Sequence, residues 1–469
     1  MKTSWTFGTD GMRGLYGQGV FVPERLAQLG WTLGQWMRHH QYQNHPDGSL
    51  TVVMGMDTRY SSPIVAQALF SGLDKAGIRV HFLGCCPTAC VSFATDYLRA
   101  GLGLMISASH NPAPDNGIKF FSASGAKWSV DVEAAFNILA STLTLPDAVP
   151  TKALPDPWQE PVDIFQAMLL RTAPPLVKPL RLVVDAAHGA YSNLAIKVLE
   201  AWGAIVVSTL GNHPDGRNIN DQCGAVYPKA LSQAVVQWEA DAGIAFDGDG
   251  DRVVIVNHRG ECQNGDQLLA ALSTVLGQGE QRGSALQGGQ GLASLGGAVP
   301  EAQGVVGTIM TNSALEPFLA QRSLRLDRTH VGDRWIQQRL EQLGWSLGGE
   351  SSGHIMMTPA LRTGDGLLAG MAVLSVMSRH PHLFPCFTPY PTVTRTVPVH
   401  HLLYPCSQAF QDYCAQVQAD LPPHHRLIIR PSGTEPVIRV SVEGPSMEHL
   451  HAMADKMVVH ICQQQETYA

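Results

Sequence analysis

The densest group of reactive side chains is the run DGDGD at 247–251, which follows an apolar segment and precedes Arg252. Its glycines permit a tight backbone path along which three carboxylates converge on one hard cation such as Mg²⁺. An EF-hand calcium loop would require glycine and glutamate where this chain has Arg252 and His258. An acidic turn without a ligand is the other alternative, but its like charges would repel one another. The run therefore predicts a metal site formed by Asp247, Asp249 and Asp251.

A second reactive group is the hydroxyl of Ser109, in the run SASHNP at 107–112 after another apolar segment. A hydroxyl at the carboxyl end of a strand, with His110 and Lys119 nearby, can carry a phosphoryl group covalently. A serine hydrolase fits less well, because no Gly-x-Ser-x-Gly elbow surrounds Ser109 and adjacent side chains point apart. Taken alone, the run is equally consistent with a capped turn.

Three further loops carry polar side chains beside glycines. The run RPSGTEP at 430–436, followed by Arg439, combines guanidinium groups, hydroxyls and a glycine turn that suit a phosphate, although a hairpin with surface arginines is the alternative. The run GGESSGH at 348–354 suits hydrogen bonding to sugar hydroxyls or an amine, and FGTDGMRG at 7–14 is a glycine-rich turn with one arginine. Because these loops come from separate parts of the chain, together they predict a cleft between domains.

The elements that must position these loops follow an alternating α/β pattern. Apolar segments typical of strands occupy 51–57, 77–84, 101–109, 180–187, 203–210 and 242–247. The stretches 63–76 and 193–203 show helical spacing, and 256–261 resembles a strand entering a turn. Helical crossovers favour mostly parallel sheets, with ligand-binding loops at the carboxyl ends of the strands.

The length of 469 residues indicates three to four domains. Proline-rich linkers and changes of pattern place the boundaries near 153, 257 and 378. We expect α/β domains at 1–153, 154–257 and 258–378, which carry the serine, metal and sugar loops respectively, and a smaller α+β unit at 379–469. The glycine-rich stretch 277–304 is predicted to be a surface loop.

The bulk composition favours a soluble protein of the reduced cytoplasm. Hydrophobic residues make up 45% of the chain, and its net charge of −7 gives no general attraction to nucleic acid or anionic lipid. The nine cysteines lack the spacing of a zinc site or a disulfide framework. Residues 1–14 contain no long apolar run, so we expect neither a secretory signal nor a membrane anchor there.

The motifs SASHNP, DGDGDR, GESSGH and RPSGTEP, in that order, resemble those of the α-D-phosphohexomutase superfamily. The runs FGTDGMRG, DNGIKFF, THVGDRWI at 329–336 and RPSGTEPVIRVSVEG are most similar to its phosphoglucosamine mutase branch. The resemblance implies a four-domain, heart-shaped molecule, with three similar α/β domains and a smaller α+β C-terminal domain around a central cleft. It also implies interconversion of glucosamine 6-phosphate and glucosamine 1-phosphate through a sugar 1,6-bisphosphate, which serves as intermediate and activator.

The resemblance also implies roles for individual residues. Ser109 would be a phosphoserine whose phosphate binds Mg²⁺ together with Asp247, Asp249 and Asp251. The transfer site would be lined by Arg13, His110, Lys119 and Arg252, with either His110 or Lys119 as general base. The sugar would be recognised by Glu350, Ser352 and His354, and the distal phosphate by Arg430, Ser432, Gly433, Thr434 and Arg439.

Three alternatives stay open at the level of sequence. A phosphomannomutase or phosphoglucomutase of the same superfamily differs only in a few hydrogen bonds to the sugar. A phosphatase with Asp247 as nucleophile would also use Mg²⁺ and clustered aspartates, and a sugar-phosphate sensor would retain the fold without turnover. The expected partner is a small hexosamine phosphate, without nucleic acid or membrane, and a homodimer is compatible with the sequence.

Overall fold

The computed structural model describes residues 5–8, 10–40, 49–146, 148–275, 303–358, 360–381, 384–398, 408–431 and 437–467. Four sheets follow one another along these stretches, three of them flanked by helices on the α/β plan and the last antiparallel. The predicted glycine-rich loop lies outside the described residues, apart from positions 303 and 304. The boundaries near 153, 257 and 378 stay predictions.

The first sheet has the strand order β1-β5-β4-β2-β3. Its elements are β1 (Met12–Leu15), a short 3-10 helix (Gly19–Phe21), α1 (Pro23–His39), β2 (Thr51–Met56), α2 (Ser62–Lys75), β3 (Arg79–Cys85), α3 (Thr88–Tyr97), β4 (Leu102–Ile106), β5 (Asp115–Ser122) and α4 (Val130–Thr142). The strands predicted near 51, 77 and 101 and the helix predicted at 63–76 are therefore present.

The second sheet has the order β10-β9-β8-β6-β7 and repeats the same plan. Its elements are α5 (Glu160–Thr172), β6 (Arg181–Asp185), α6 (Ala195–Ala201), β7 (Ile205–Leu210), α7 (Lys229–Gln237), β8 (Ala242–Phe246), β9 (Val253–Asn257) and β10 (Cys262–Gln263). The strand predicted at 256–261 begins earlier, at Val253, because β9 pairs with β8 directly after the aspartate run.

The third sheet has the order β12-β11-β13-β14, and the fourth has the order β15-β17-β16. The third comprises α8 (Gly265–Ser273), β11 (Gly304–Thr308), α9 (Leu315–Ala320), β12 (Arg325–Thr329), α10 (Asp333–Leu343), β13 (Leu347–Gly349), β14 (Ile355–Met357) and α11 (Gly366–Arg379). The fourth comprises β15 (Thr392–Pro398), α12 (Gln408–Asp420), β16 (Arg426–Pro431), β17 (Val437–Glu443) and α13 (Met447–Thr467).

The first three sheets are mixed, so the prediction of mostly parallel sheets was wrong in part. Each has a core of three parallel strands followed by an antiparallel strand, namely β5, β9 or β14. The physical reason is the short connections β4–β5, β8–β9 and β13–β14, which leave no room for a helical crossover, so the chain returns antiparallel. These three connections carry Ser109, the aspartate run and GESSGH, at the equivalent edge of each sheet.

Apolar packing joins the first three domains. One continuous cluster of buried side chains includes Cys90 of α3, Phe165 of α5, Val184 of β6, Leu268 of α8 and Leu374 of α11. The fourth domain has cores of its own, around residues such as Val440 and Met457. Within the described residues, each helix is either too short or too polar to cross a lipid bilayer.

Candidate functional site

The loop between β4 and β5 holds Ser109 in a backbone conformation that only a surrounding network stabilises. Its φ of 52° lies in the left-handed region, which is unfavourable for residues other than glycine. The buried guanidinium of Arg59 donates to the carbonyl oxygens of Ser109 (2.9 Å) and Asn111 (2.8 Å). Asp57 orients Arg59 by accepting from its Nε at 2.8 Å. The first domain therefore fixes the serine before any ligand binds.

The second domain forms hydrogen bonds with the loop of Ser109 from the opposite side. The side-chain amide of Asn220 donates to the carbonyl oxygens of Ser109 (2.9 Å) and Asn111 (3.1 Å). A Cβ atom at Gly248 would lie 2.7 Å from the Ser109 carbonyl oxygen, so only glycine permits this approach. As a result the Ser109 hydroxyl donates to Oδ2 of Asp247 at 2.5 Å. Ser109 and the aspartate run therefore lie next to each other, as predicted.

The three aspartates fit a divalent cation. Ligand oxygens of Asp247, Asp249 and Asp251 lie within 4.8 Å of one another, and all three residues are buried. Among the described residues, the Oδ1 atoms of Asp249 and Asp251 are buried without a hydrogen-bond partner. Unpaired buried oxygens are costly, and hard cations prefer such ligands. This chain can therefore hold a metal ion at the carboxyl end of β8.

The pKa values of two side chains in this cluster, Asp247 and Lys119, differ from their ordinary values. Burial, together with Asp251 and Asp249, raises the pKa of Asp247 to about 7. The ammonium of Lys119 lies 2.7 Å from Oδ2 of Asp249 and 2.6 Å from Oδ2 of Asp251. Burial alone would lower the pKa of Lys119, but Asp10, Asp249 and Asp251 raise it well above its usual value. Lys119 is therefore a fixed cation.

His110 has the opposite character. Burial and the neighbouring charge of Arg252 lower its pKa to about 4, so its imidazole is neutral near pH 7. Its Nδ1 atom is buried and has no hydrogen-bond partner in the described part of the chain. A neutral imidazole beside Ser109 can accept a proton.

The GESSGH loop between β13 and β14 reaches the metal loop from the third domain. His354 pairs with Arg252 as an isolated antiparallel bridge, and its Nδ1 lies 3.7 Å from Oδ1 of Asp251. Glu350 accepts from the backbone N–H of Gly332 at 2.9 Å and from the Ser352 hydroxyl at 3.3 Å. Loops of three domains therefore converge on one point.

A cavity of about 280 Å³ lies where these loops meet. Its lining comprises Asp10, Arg13, Ser109, His110, Asn111, Asp251, Arg252, Val331, Gly332, Asp333, Glu350 and His354. Arg13 is held at the rim by Ser107 and Asp10, whose oxygens accept at 3.2 and 2.9 Å. The cavity is lined by cationic side chains, the Ser109 hydroxyl and polar side chains that can form hydrogen bonds with a sugar. A larger cleft of about 420 Å³, near Gln159 and Lys197, contains none of the predicted site residues.

The predicted phosphate cradle of the fourth domain is described only in part. Arg430 and Arg439 lie directly opposite each other on β16 and β17. Like charges in that register repel, and an anion between them would relieve the repulsion. Ser432, Gly433 and Thr434 lie outside the described residues, and the arginines do not line the cavity just described. Glu443 ties this domain to the third by accepting from Ser313 N (2.8 Å) and Asn312 Nδ2 (3.0 Å).

Sequence reasoning missed several residues that shape the site. Arg59 follows β2 at the carboxyl edge of the sheet, and its position could have indicated a role. Asn220 and Lys127 stand in loops that carry no comparable signal, whereas Asp333 lies in the run THVGDRWI, whose resemblance could have indicated a role.

Four domains of the phosphoglucomutase/phosphomannomutase family match this chain. Alpha/beta/alpha domain I matches residues 5–143, domain II residues 166–260, domain III residues 264–383 and the C-terminal domain residues 408–459. Phosphoglucosamine mutase of Edwardsiella ictaluri is 37% identical over 459 residues, covering 96% of each chain. Phosphoglucosamine mutase of Acinetobacter baumannii is 38% identical over 463 residues, covering 96% of this chain and 97% of the other.

Solved structures share the architecture. A phosphoglucomutase/phosphomannomutase family protein from Burkholderia thailandensis superposes with a TM-score of 0.75 at 22% identity, over 95% of both chains. The N-acetylphosphoglucosamine mutase of Aspergillus fumigatus, solved with GlcNAc-6P and magnesium, gives a TM-score of 0.65 at 15% identity, over 99% of this chain and 96% of the other. At these identities the likeness concerns the fold, and the predicted four-domain α/β architecture is confirmed.

Proposed function

The chain belongs to the phosphoglucomutase/phosphomannomutase family, and on that premise we propose that it is a mutase interconverting glucosamine 6-phosphate and glucosamine 1-phosphate. The observation that carries the proposal is the hydrogen bond of 2.5 Å between the Ser109 hydroxyl and Asp247, beside a cavity lined by Arg13, Arg252 and Glu350. We infer an amino sugar as the substrate because the relatives at 37–38% identity are named phosphoglucosamine mutase.

The reaction begins with a phosphoryl group on Ser109. A sugar hydroxyl attacks the phosphorus atom, the bond to the Ser109 oxygen breaks, and a sugar bisphosphate results. Asp247, Asp249 and Asp251 would hold Mg²⁺, which would supply positive charge for the oxygens of the transferred group. Arg13 and Arg252 add fixed positive charge, and Lys119 holds the carboxylates in place.

The attacking hydroxyl must lose its proton, and His110 is the better placed of the two candidate bases. Its low pKa keeps the imidazole neutral, whereas three carboxylates keep Lys119 protonated. The imidazole then gives that proton to the departing Ser109 oxygen. In the return step the bisphosphate presents its other phosphate to Ser109, and the same imidazole takes the Ser109 proton and gives it to the departing sugar oxygen. Glu350, Ser352 and His354 hold the sugar, while Arg430 and Arg439, with the loop at 432–434, hold the phosphate that does not react.

A coupled assay of the purified protein with glucosamine 1-phosphate tests this function. We expect turnover that requires Mg²⁺ and is stimulated by a catalytic amount of the 1,6-bisphosphate. Intact mass spectrometry should find one phosphoryl group, located on Ser109. Ser109→Ala should lower turnover by more than about 10³-fold, because the nucleophile is lost. The exposed Ser124→Ala is the matched control and should be fully active.

Two alternatives give different results in the same assay. A phosphoglucomutase or phosphomannomutase would turn over glucose 1-phosphate or mannose 1-phosphate faster than the amino sugar. A phosphatase with Asp247 as nucleophile would release inorganic phosphate and survive Ser109→Ala. Either result would overturn the proposal.

A further inference from the structure

Two charged residues at the start of α10 join the third domain directly to the first. Asp333 forms a buried ion pair with the ammonium of Lys127, which follows β5. Arg334 donates to both carboxylate oxygens of Glu133 on α4, at 3.2 and 3.3 Å. Its guanidinium also donates to the carbonyl oxygen of Gly8 at 3.2 Å. All four side chains are at most 12% exposed.

The two pairs are reciprocal in charge. The first domain contributes a cation and an anion, Lys127 and Glu133, and the third domain contributes their opposites, Asp333 and Arg334. The chain passes through the second domain between these positions, so the pairs close a ring of three domains. Ion pairs at such low exposure are weakly screened, and losing one partner leaves a costly buried charge.

The start of α10 also supports the side chains proposed to hold the sugar. The N–H of Gly332 donates to Oε1 of Glu350 at 2.9 Å, and Oδ2 of Asp333 lies 3.3 Å from Nε2 of His354. On the side of the first domain, Lys127 lies 2.5 Å from Oδ1 of Asp10, whose other oxygen lies 3.3 Å from Lys119. The pairs therefore connect the sugar loop to the transfer site.

We propose that the ion pairs Lys127–Asp333 and Glu133–Arg334 form an interdomain latch that sets the sugar-recognition loop at a fixed distance from Ser109. Glu133 and Arg334 act as positioning residues, since neither lines the cavity. The latch rests on the proposed function, in which the sugar presents two different oxygens to one serine. A displaced sugar-recognition loop loses contacts to the sugar in the ground state and the transition state alike, which raises KM.

A charge swap tests the latch. Glu133→Arg or Arg334→Glu alone should lower kcat/KM by about tenfold, mainly through KM, and the double swap should recover most of the loss. Arg339→Glu is the matched control, because Arg339 lies on the same helix but pairs at 2.8 Å with the partly exposed Asp327 of its own domain. It should leave KM unchanged. If a swap variant fails to fold, the neutral pair Glu133→Gln and Arg334→Gln is measured instead.

Hydrogen exchange of residues 333–343 and 130–142 separates the latch from the proposed function. Both single swaps should speed exchange in these segments, and the double swap should restore protection, whichever sugar is turned over. If the exchange results are as expected but the protein has no mutase activity, the proposed function is contradicted, while the ion pairs between the domains are still supported. Unchanged KM in both single variants of an active enzyme, or a double swap no better than the singles, would overturn the latch.

Discussion

The hydroxyl oxygen of Ser109 lies 2.5 Å from Oδ2 of Asp247, although 138 positions separate these residues and they follow strands of different sheets. A phosphate on that oxygen would stand among three buried carboxylates. Such a concentration of negative charge is stable only with cations next to it. We therefore expect phosphorylation of Ser109 to raise the affinity for a divalent ion, and a bound ion to stabilise the phosphorylated serine.

We expect Asn220→Asp to impair phosphoryl transfer without unfolding the protein. The side chains have the same shape, but a carboxylate cannot donate to the carbonyl oxygens of Ser109 and Asn111, and it adds charge beside the aspartates. A misplaced nucleophile should lower kcat by about 10²-fold, with little change in KM. Steady-state kinetics check this, with the exposed Asn193→Asp as control. A kcat equal to that of the wild type would remove Asn220 from the positioning of Ser109.

Stabilisation by Mg²⁺ should grow as the pH rises from about 5.5 to 8. Asp247 has a pKa of about 7 in the folded protein against an ordinary value of 3.8, so without metal it holds a proton at the acid end of this interval and has lost it at the alkaline end. Its protonation favours the metal-free fold at acid pH, and this contribution is lost as the pH rises through 7. Mg²⁺ competes with that proton, so its effect is largest where the proton is absent.

The measurement is thermal unfolding with and without Mg²⁺ at each pH. The pKa values of Asp266 and Asp365 are raised by burial to about 6, so these residues titrate in the same interval. Asp247→Asn provides the comparison that isolates one group. Its Mg²⁺ effect should be smaller and nearly independent of pH, and an unchanged dependence in this variant would show that another residue controls metal binding.

The fold followed from local signals where those signals were strong. The apolar segments at 51–57, 101–109, 180–187 and 242–247 predicted β2, β4, β6 and β8 to within a few residues. Strand direction was missed because it depends on the length of the next connection. The connection from Phe246 to Val253 is too short for a helix, and counting its residues would have predicted the antiparallel β9.

Some residues of the site could likewise be predicted from local sequence signals, and others could not. Asp247, Ser109 and His354 could be found because each stands in a run of unusual composition at the end of a strand. Asn220 could not, since its effect comes from backbone carbonyl groups that it reaches only after two domains pack together, and the only signal for Arg59 was its position after β2. Interdomain contacts have no sequence period, so residues of this kind become visible only in three dimensions.

Tyr191→Phe should destabilise the junction of the second and third domains. The Tyr191 hydroxyl donates to the buried carboxylate of Asp365, which also accepts from Leu368 N at 2.6 Å at the start of α11. Removing one donor leaves a buried carboxylate less satisfied, at a cost of about 1–3 kcal/mol. Urea unfolding checks the loss, with the exposed Tyr97→Phe as control. Equal midpoints for the wild type and Tyr191→Phe would show that the hydroxyl contributes nothing there.

Arg430→Ala should raise KM for the sugar phosphate by about 10-fold or more and leave kcat less affected. Arg430 stands opposite Arg439 in the sheet, and this pair of cations is suited to a phosphate that does not react. Losing a charge-assisted contact of that kind costs roughly 1.5–3 kcal/mol of binding. Steady-state kinetics give the result, and Arg395→Ala is the control, because Arg395 lies on β15 and pairs with Asp455 at 2.9 Å. The same KM in Arg430→Ala and the wild type would mean that the fourth domain does not hold the distal phosphate through this residue.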